Sequence, residues 1–237
     1  MSLIMKPKRL YYFTEAKYGI EAIEKRRIKI SSIQTLNDPF ELLGPSLKEK
    51  AVRENLKKWK QNVSRTHGLI CMSESWRHPM MWAHYADKYK GICLGFDVSE
   101  DLFKPIEYVV ERAKFDELGL SHPASLPELG ALNLNDAQRK ILLLSKFRDW
   151  KYEKEYRAII PLNSDACESE NFLNFYSYLD SKSIYLKEVI IGSESQIKRT
   201  AVDTALGDLK PSVRSFLTRP AFKTFKIVEQ QIKSMWT

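Results

Sequence analysis

Residues 79–98, PMMWAHYADKYKGICLGFDV, place a predicted helix directly before a predicted strand. Proline at the first position and Gly91 just past the end are typical of a helix over Pro79–Lys90. The apolar run Ile92–Val98 then has the length of a strand. Its Gly95 weakens a strand unless something lies close to the backbone, so we expect a ligand or a packed helix there.

Strands and short helices alternate on both sides of this unit. Further strands are predicted at Leu10–Thr14, Ile28–Ile33, Gly68–Ser73, Ile106–Val110, Glu155–Leu162, Ile184–Ile191 and Phe222–Glu229. Further helices are predicted at Ala16–Arg27, Ser46–Val63, Asn135–Phe147 and Ser195–Leu209. The regular spacing of a doubly wound sheet is missing, so the sequence predicts an α+β fold, a mixed or split β-sheet with flanking helices.

The domain organisation follows from the length of 237 residues, which suffices for a single α+β domain over residues 1–237. Residues from about 165 to 237 are either part of that domain or a C-terminal lobe. The segment Leu118–Leu134 is rich in Pro, Gly and Ser and predicts a long surface loop.

The chain is basic, with a formal net charge of +8. This charge favours an anionic partner, either nucleic acid or a nucleotide. The predicted helix Ser46–Val63 has one apolar face, formed by Val52, Leu56, Trp59 and Val63. Its remaining Lys and Arg residues form either a solvated surface or a phosphate-binding one.

Several features favour a cytoplasmic protein. No apolar run approaches the roughly 18–20 residues that cross a bilayer, and residues 1–10 lack the apolar segment of a signal peptide. Cys71 and Cys93 lie in apolar runs, where free cysteine behaves as a small buried hydrophobe, which suits a reducing compartment. The histidines lack zinc-site spacing. We therefore expect no membrane association and no metal site, and the oligomeric state stays open.

The stretch Asn37–Glu41, NDPFE, predicts a rigid turn. Proline holds Asp38 in an extended conformation, and Asn and Asp side chains accept hydrogen bonds from nearby backbone N–H groups. We expect Phe40 to point inward. The segment is either a structural turn or a site loop in which Asp38 and Glu41 face a cleft.

The residues Trp82–Ala86, WAHYA, lie on a predicted helix that we expect to be buried on most sides. His84 and Tyr85 contribute polar side-chain ends to this helix. His84 is either a core histidine or a site residue. The later stretch Trp150–Pro161 has Glu153, Glu155 and Arg157 on one face if it is extended. The side chains on that face either form an ion pair on a sheet surface or hold a carboxylate at the rim of a cleft, beside a cation.

Seven segments together resemble a bacterial family known only as domain of unknown function 2971. They are LYYF at 10–13, NDPFE at 37–41, GLICMS at 68–73, WAHYA at 82–86, GICLGFD at 91–97, WKYEKEYR at 150–157 and VIIG at 189–192. The resemblance covers Leu10 to Gly192 in motif order, and the family's name implies no activity.

A weaker resemblance, to ADP-ribosyltransferases, rests on three segments in chain order. The first is the early strand Leu10–Thr14, the second is Ser73-Glu74-Ser75, and the third is Glu153-Lys154-Glu155, which precedes a strand. Those enzymes carry Arg or His in the early strand, whereas here Arg9 precedes the predicted strand. The resemblance implies NAD as a co-substrate and a nucleic-acid or protein acceptor. Glu155 would then stabilise an oxocarbenium-like transition state, and Ser73 would support the ribose.

Other residues take roles under the same resemblance. His84 would act with Glu155 and Ser73 in catalysis or contact the pyrophosphate. The substrate-binding candidates are Tyr11, Tyr12, Asp38, Glu41, Trp82, Tyr85 and Arg157. The alternative is a nucleic-acid-binding module, or a metal-dependent nuclease that uses Asp38, Asp97 and Glu155.

Overall fold

The computed structural model describes residues 7–131, 133–179 and 181–237. The strands are β1 Lys8–Thr14, β2 Arg27–Ile30, β3 His67–Ser73, β4 Ile92–Val98, β5 Lys104–Pro105, β6 Glu107–Val109, β7 Ser145–Phe147, β8 Glu155–Pro161, β9 Cys167–Glu170, β10 Leu173–Ser177, β11 Ile184–Ile191, β12 Arg214–Pro220 and β13 Ile227–Glu229. The helices are α1 Ala16–Glu24, α2 Lys50–Thr66, α3 Pro79–Tyr85, α4 Asp136–Leu143 and α5 Arg199–Leu206.

The main sheet has eight strands in the order β13-β12-β11-β4-β1-β3-β8-β5. It is mixed, because β11 and β12 run parallel while the other neighbouring strands run antiparallel. Two smaller sheets, β2-β10-β9 and β6-β7, accompany it. The predicted α+β class with a mixed sheet is confirmed.

The strand pairing of the main sheet is incomplete between β1 and β3. On its other side, β1 pairs with β4 along its full length, from Lys8 opposite Val98 to Thr14 opposite Ile92. Toward β3 it has a single pair, Tyr11 opposite Ser73. Because the other backbone groups along this edge do not pair across to β3, the junction leaves room for side chains to enclose a cavity.

Three apolar clusters form the core of the described residues, and the two larger ones join α1 and α2 to the main sheet. The first includes Leu10 and Phe96 of the main sheet and Ile23 of α1, all fully buried. The second forms around α2, where the predicted apolar face of Val52, Leu56, Trp59 and Val63 is buried. Trp59 also donates a hydrogen bond to the Leu129 carbonyl at 3.0 Å. This bond ties α2 to the segment 118–134.

That segment corrects the prediction of a surface loop over Leu118–Leu134. Leu118, Leu126 and Leu134 are buried in the α2 cluster, and Pro123–Glu128 forms a 3₁₀ helix. The Pro and Ser residues therefore mark short turns between buried leucines. Leu132 lies outside the described residues.

Several helix and strand boundaries also differ from the predictions. The helix predicted at Asn135–Phe147 has its expected Asn135 cap but ends at Leu143, and β7 follows it. Of the strand predicted at Phe222–Glu229, only β13 is extended. The helix predicted to reach Lys90 ends at Tyr85. There Asp87, Lys88 and Tyr89 adopt left-handed backbone conformations, which are unfavourable in a helix.

Within the described part of the chain, the helices are all too short or too polar to cross a bilayer.

Candidate functional site

A cavity of about 210 Å³ lies at the junction of β1 and β3. β1 contributes Tyr11, Tyr12 and Phe13 to its lining, and β3 contributes Cys71, Met72 and Ser73. The other lining residues are Ser31, Thr35, Leu36, Asn37, Asp38, Glu41, Met81, Tyr85, Lys146, Glu153, Glu155 and Arg157. Segments that are distant in sequence therefore line one cavity.

Three residues of this lining form a row across adjacent strands. Tyr11 of β1 is opposite Ser73 of β3, and Ser73 is opposite Glu155 of β8. The Ser73 hydroxyl donates to the Glu153 carbonyl at 2.6 Å and accepts from the Ser75 amide at 3.2 Å. These bonds tie the end of β3 to the backbone just before β8.

Lys146 of β7 is the centre of a buried ion-pair cluster. Its Nζ lies 2.6 Å from Glu153 Oε2, 3.1 Å from Glu155 Oε2 and 3.2 Å from Glu41 Oε1. Its side chain is only 8% exposed. An ammonium group needs several oxygen partners to be stable away from water, and the three carboxylates supply them.

Arg157 is the second cation of the cluster and is 1% exposed. Its guanidinium contacts Glu155 Oε1 at 2.8 Å and Glu41 Oε2 at 2.9 Å, and it donates to the Leu143 carbonyl at 2.7 Å. With Lys146, two cations thus face three carboxylates. The cluster carries one net negative charge when every group is ionised.

The two glutamates of the Glu-x-Glu pair differ in their tendency to ionise. Burial raises the pKa of Glu153, although Lys146 and a hydrogen bond donated by Tyr85 favour its anion. Burial also acts on Glu155, but Arg157 and Lys146 outweigh it and lower the pKa of that carboxyl to about 2. Glu153 therefore binds a proton more readily than Glu155.

The turn at Asn37–Glu41 is both structural and part of the cavity wall. Asp38 Oδ1 accepts a hydrogen bond from the Phe40 amide at 2.9 Å, as expected for an Asp before proline. Asp38 and Glu41 line the cavity. The inward orientation predicted for Phe40 is wrong, because its ring is 61% exposed and lies 5.6 Å from the Arg112 guanidinium.

Two of the predicted site residues lie outside the cavity lining. Trp82 is fully buried, with its ring edge-on to Phe13, and it donates a hydrogen bond to the Trp76 carbonyl. His84 is exposed, and its ring centre lies 6.3 Å from that of Tyr152. The helix is therefore less enclosed than the sequence predicts. It places Met81 and Tyr85 toward the cavity and His84 toward solvent.

Gly95 positions Tyr11. A Cβ atom at Gly95 would lie 3.1 Å from the Tyr11 ring and 3.0 Å from Glu188 Cβ. The neighbours that need the glycine are thus Glu188 and the ring of Tyr11, and the Tyr11 hydroxyl lies 3.2 Å from Glu188 Oε2. Arg9 lies inside β1, which begins at Lys8, and its guanidinium contacts Asp97 at 2.6 Å and Glu188 at 2.9 Å.

The three acidic residues of the nuclease alternative are not brought together. Asp38 and Glu155 line the cavity, whereas Asp97 pairs with Arg9 and is not part of the lining. Among the described residues, no group of three or more His, Cys, Asp or Glu is arranged to hold a metal ion. Lys146 instead occupies the position between Glu41, Glu153 and Glu155.

Sequence reasoning missed two central residues. Lys146 falls in the segment predicted as the end of a helix, and nothing local distinguishes it from a solvated lysine. Tyr108 of β6, whose hydroxyl accepts a hydrogen bond from the Glu155 amide at 2.7 Å, gives no local signal either. Glu153 was noticed only as the first residue of Glu-x-Glu. It lies in the 3₁₀ helix Arg148–Glu153 rather than in the strand.

Comparison with known proteins gives one match. No curated protein and no solved structure matches the chain significantly. Residues 81–158 match the model of the family described as "Protein of unknown function (DUF2971)". This range includes α3, β4, Lys146, Glu153, Glu155 and Arg157. The resemblance to the DUF2971 family that the sequence motifs indicate is therefore confirmed over residues 81–158.

Proposed function

We propose that the cavity at the β1–β3 junction cleaves an N-glycosidic bond of a nucleotide and transfers the ribosyl group, as in ADP-ribosyl transfer from NAD. The observation that carries the proposal is the row Tyr11, Ser73, Glu155 across three adjacent strands that line one cavity. The three segments on which the resemblance to ADP-ribosyltransferases rests lie in these strands or directly beside their ends.

The carboxylate pair suits such chemistry. The Glu153 and Glu155 oxygens contact the same Lys146 nitrogen at 2.6 and 3.1 Å, so they are about 6 Å or less apart. Enzymes that cleave glycosidic bonds use two carboxyl groups at comparable separations, with environments that push their pKa values apart. Glu155, held ionised, stabilises positive charge that develops at the ribose C1 atom.

Glu153 has the complementary role. As the C1–N bond breaks, its electron pair leaves with nicotinamide, which departs as a neutral base. An acceptor O–H or N–H group attacks C1, and Glu153 takes the proton that the acceptor loses. The raised pKa of Glu153 brings this base closer to neutral pH, where general bases are most effective. Tyr85 orients Glu153 through its hydrogen bond.

The size of the cavity indicates how much of the substrate it takes. Its volume of about 210 Å³ is smaller than that of a typical ligand pocket, roughly 300–1,000 Å³. We therefore place the nicotinamide and its ribose in the cavity, beside Tyr11 and Ser73. The remaining adenylate portion lies outside, toward solvent.

The test is the release of nicotinamide from NAD by the purified protein, measured by chromatography with single-stranded oligonucleotides and with proteins as acceptors. The proposal predicts release that Glu155→Gln reduces at least about 100-fold, because it removes the carboxylate that stabilises the transition state. Tyr85→Phe lowers the release as well, because it removes the hydrogen bond that orients the base Glu153. Glu128→Gln, an exposed glutamate outside the cavity lining, retains full activity.

A thermal unfolding curve for each variant separates loss of chemistry from loss of the fold. Absence of nicotinamide release with both acceptor classes refutes the proposal. So does full activity in a folded Glu155→Gln variant.

A further inference from the structure

The loop between β12 and β13, residues 221–226, presents two phenylalanine rings to solvent. Phe222 is 89% exposed and Phe225 is 99% exposed. Neither ring contributes to a core cluster. Apolar surface that a fold leaves in water is a mark of contact with another molecule.

Cations alternate with these rings along the chain. Arg219, Lys223 and Lys226 accompany the two phenylalanines, and no Asp or Glu occurs between Lys210 and Val228. Arg77 adds a further positive charge beside the loop, because its carbonyl accepts a hydrogen bond from the Ile227 amide at 2.9 Å. The surface is therefore aromatic and positively charged.

The loop is held in shape by the fold beneath it. The Ala221 amide donates to the Lys226 carbonyl at 2.9 Å, which closes the loop. The Arg219 guanidinium lies 4.2 Å from the centre of the Phe222 ring and fixes one side of it. A surface that is ordered before binding loses less conformational entropy when it binds.

We propose that the β12–β13 loop, with Arg219 and Arg77, binds single-stranded nucleic acid. Bases and phosphates alternate along a single strand, and the loop alternates rings with cations in the same way. Bases stack on aromatic rings without regard to sequence, and Lys and Arg neutralise the phosphates. This inference does not depend on the proposed N-glycosidic chemistry, since binding is measured without NAD.

Charge argues against a second copy of this chain as the occupant. Two such loops brought face to face would place Arg219, Lys223 and Lys226 of each copy against like charges. An anionic bilayer would also attract the cations. It separates its charges and its apolar region by depth, however, and so does not call for their alternation along the loop.

The test is fluorescence anisotropy with a fluorescein-labelled oligothymidylate of about 20 nucleotides at low salt. Replacing both rings, Phe222→Ala with Phe225→Ala, weakens binding at least about 10-fold, because each stacked base contributes appreciably. The matched control is Phe172→Ala, an exposed phenylalanine on the turn between β9 and β10, which leaves the Kd unchanged.

Salt dependence tests the cations separately. Lys223→Ala with Lys226→Ala lowers the slope of log Kd against log salt by about 1.4, or about 0.7 per phosphate contact. The same change of charge on another part of the surface, Lys17→Ala with Lys29→Ala, leaves the slope unaltered.

Three results would overturn the inference. The first is no oligothymidylate binding at low salt, and the second is equal binding by the parent and the double phenylalanine variant. The third is that these rings are required only for binding to phosphatidylserine vesicles or for self-association in sedimentation. Each is distinguishable from failure of the proposed enzyme activity, because no assay here uses NAD.

Discussion

Replacing Lys146 with methionine should reveal how strongly the buried ion-pair cluster supports the fold. Methionine keeps most of the side-chain volume and removes the charge. Glu41, Glu153 and Glu155 each lose a partner at 2.6–3.2 Å, and Arg157 remains as the cation of the cluster. Removing one partner from a buried ion pair costs about 3–5 kcal/mol.

For a chain of this length, each kcal/mol lowers the melting temperature by about 2–4 °C, so Lys146→Met should lower it by about 6–20 °C. The matched control is Lys140→Met, which removes an exposed lysine 3.7 Å from Glu107 on the surface. That pair is solvated, and its loss should change the free energy of unfolding by no more than about 0.5 kcal/mol.

The deficit of Lys146→Met should depend on pH. Burial already raises the pKa of Glu153, and removal of the lysine that favours its anion raises this folded-state pKa further above that of the unfolded chain. Such groups favour the folded state most at low pH, and that contribution is lost as pH rises through the folded pKa. Urea unfolding should therefore show a larger deficit at about pH 8 than at about pH 5.

Equal stability of Lys146→Met and Lys140→Met at both pH values would refute the reasoning. It would mean that the three carboxylates do not surround the lysine in solution.

Three further predictions concern the fold around the cavity. Gly95→Ala should lower the free energy of unfolding by about 1–3 kcal/mol in urea titration, because its Cβ would lie within 3.1 Å of the Tyr11 ring. The control Gly130→Ala should have little effect, because the nearest neighbour of its Cβ would be 3.7 Å away. Trp59→Phe removes the hydrogen bond to Leu129, so limited proteolysis should cleave segment 118–134 faster than in the parent; an unchanged rate would contradict this packing. Since the pKa of Glu155 is lowered to about 2, its stabilising contribution is present above the unfolded pKa and lost as pH falls toward 2. Glu155→Gln should therefore make the free energy of unfolding less dependent on pH in this acidic range. An unchanged pH dependence would contradict the lowered pKa.

Local sequence patterns predicted strands and helices well where the residues adjacent in sequence decide the backbone conformation. The apolar run of β4 and the proline that starts α3 are examples. The helix end at Tyr85 was missed, because three left-handed residues follow it and are tolerated only where tertiary contacts hold them. Gly91 is part of that arrangement: a Cβ there would lie 2.2 Å from the Thr14 carbonyl oxygen.

The candidate site was predictable in part. Asp38, Glu41, Ser73, Glu155 and Arg157 were singled out from their motifs, and all line the cavity. Lys146 was not, because a lysine carries no local sign of which distant carboxylates will surround it. The outward position of His84 likewise depends on where α3 ends and on which face of it packs.

The sequence by itself determined the α+β class, the resemblance to the DUF2971 family indicated by ordered motifs, and the positions of most strands, since these depend on short-range patterns of apolar and turn-forming residues. Only the tertiary structure decided that β1 meets β3 at a single pair, and that Glu41, Lys146 and Arg157 join the Glu-x-Glu segment there. The physical reason is that buried charges are stable only with partners, and the tertiary fold brings Glu41 of the turn Asn37–Glu41 to Arg157, 116 positions away in sequence.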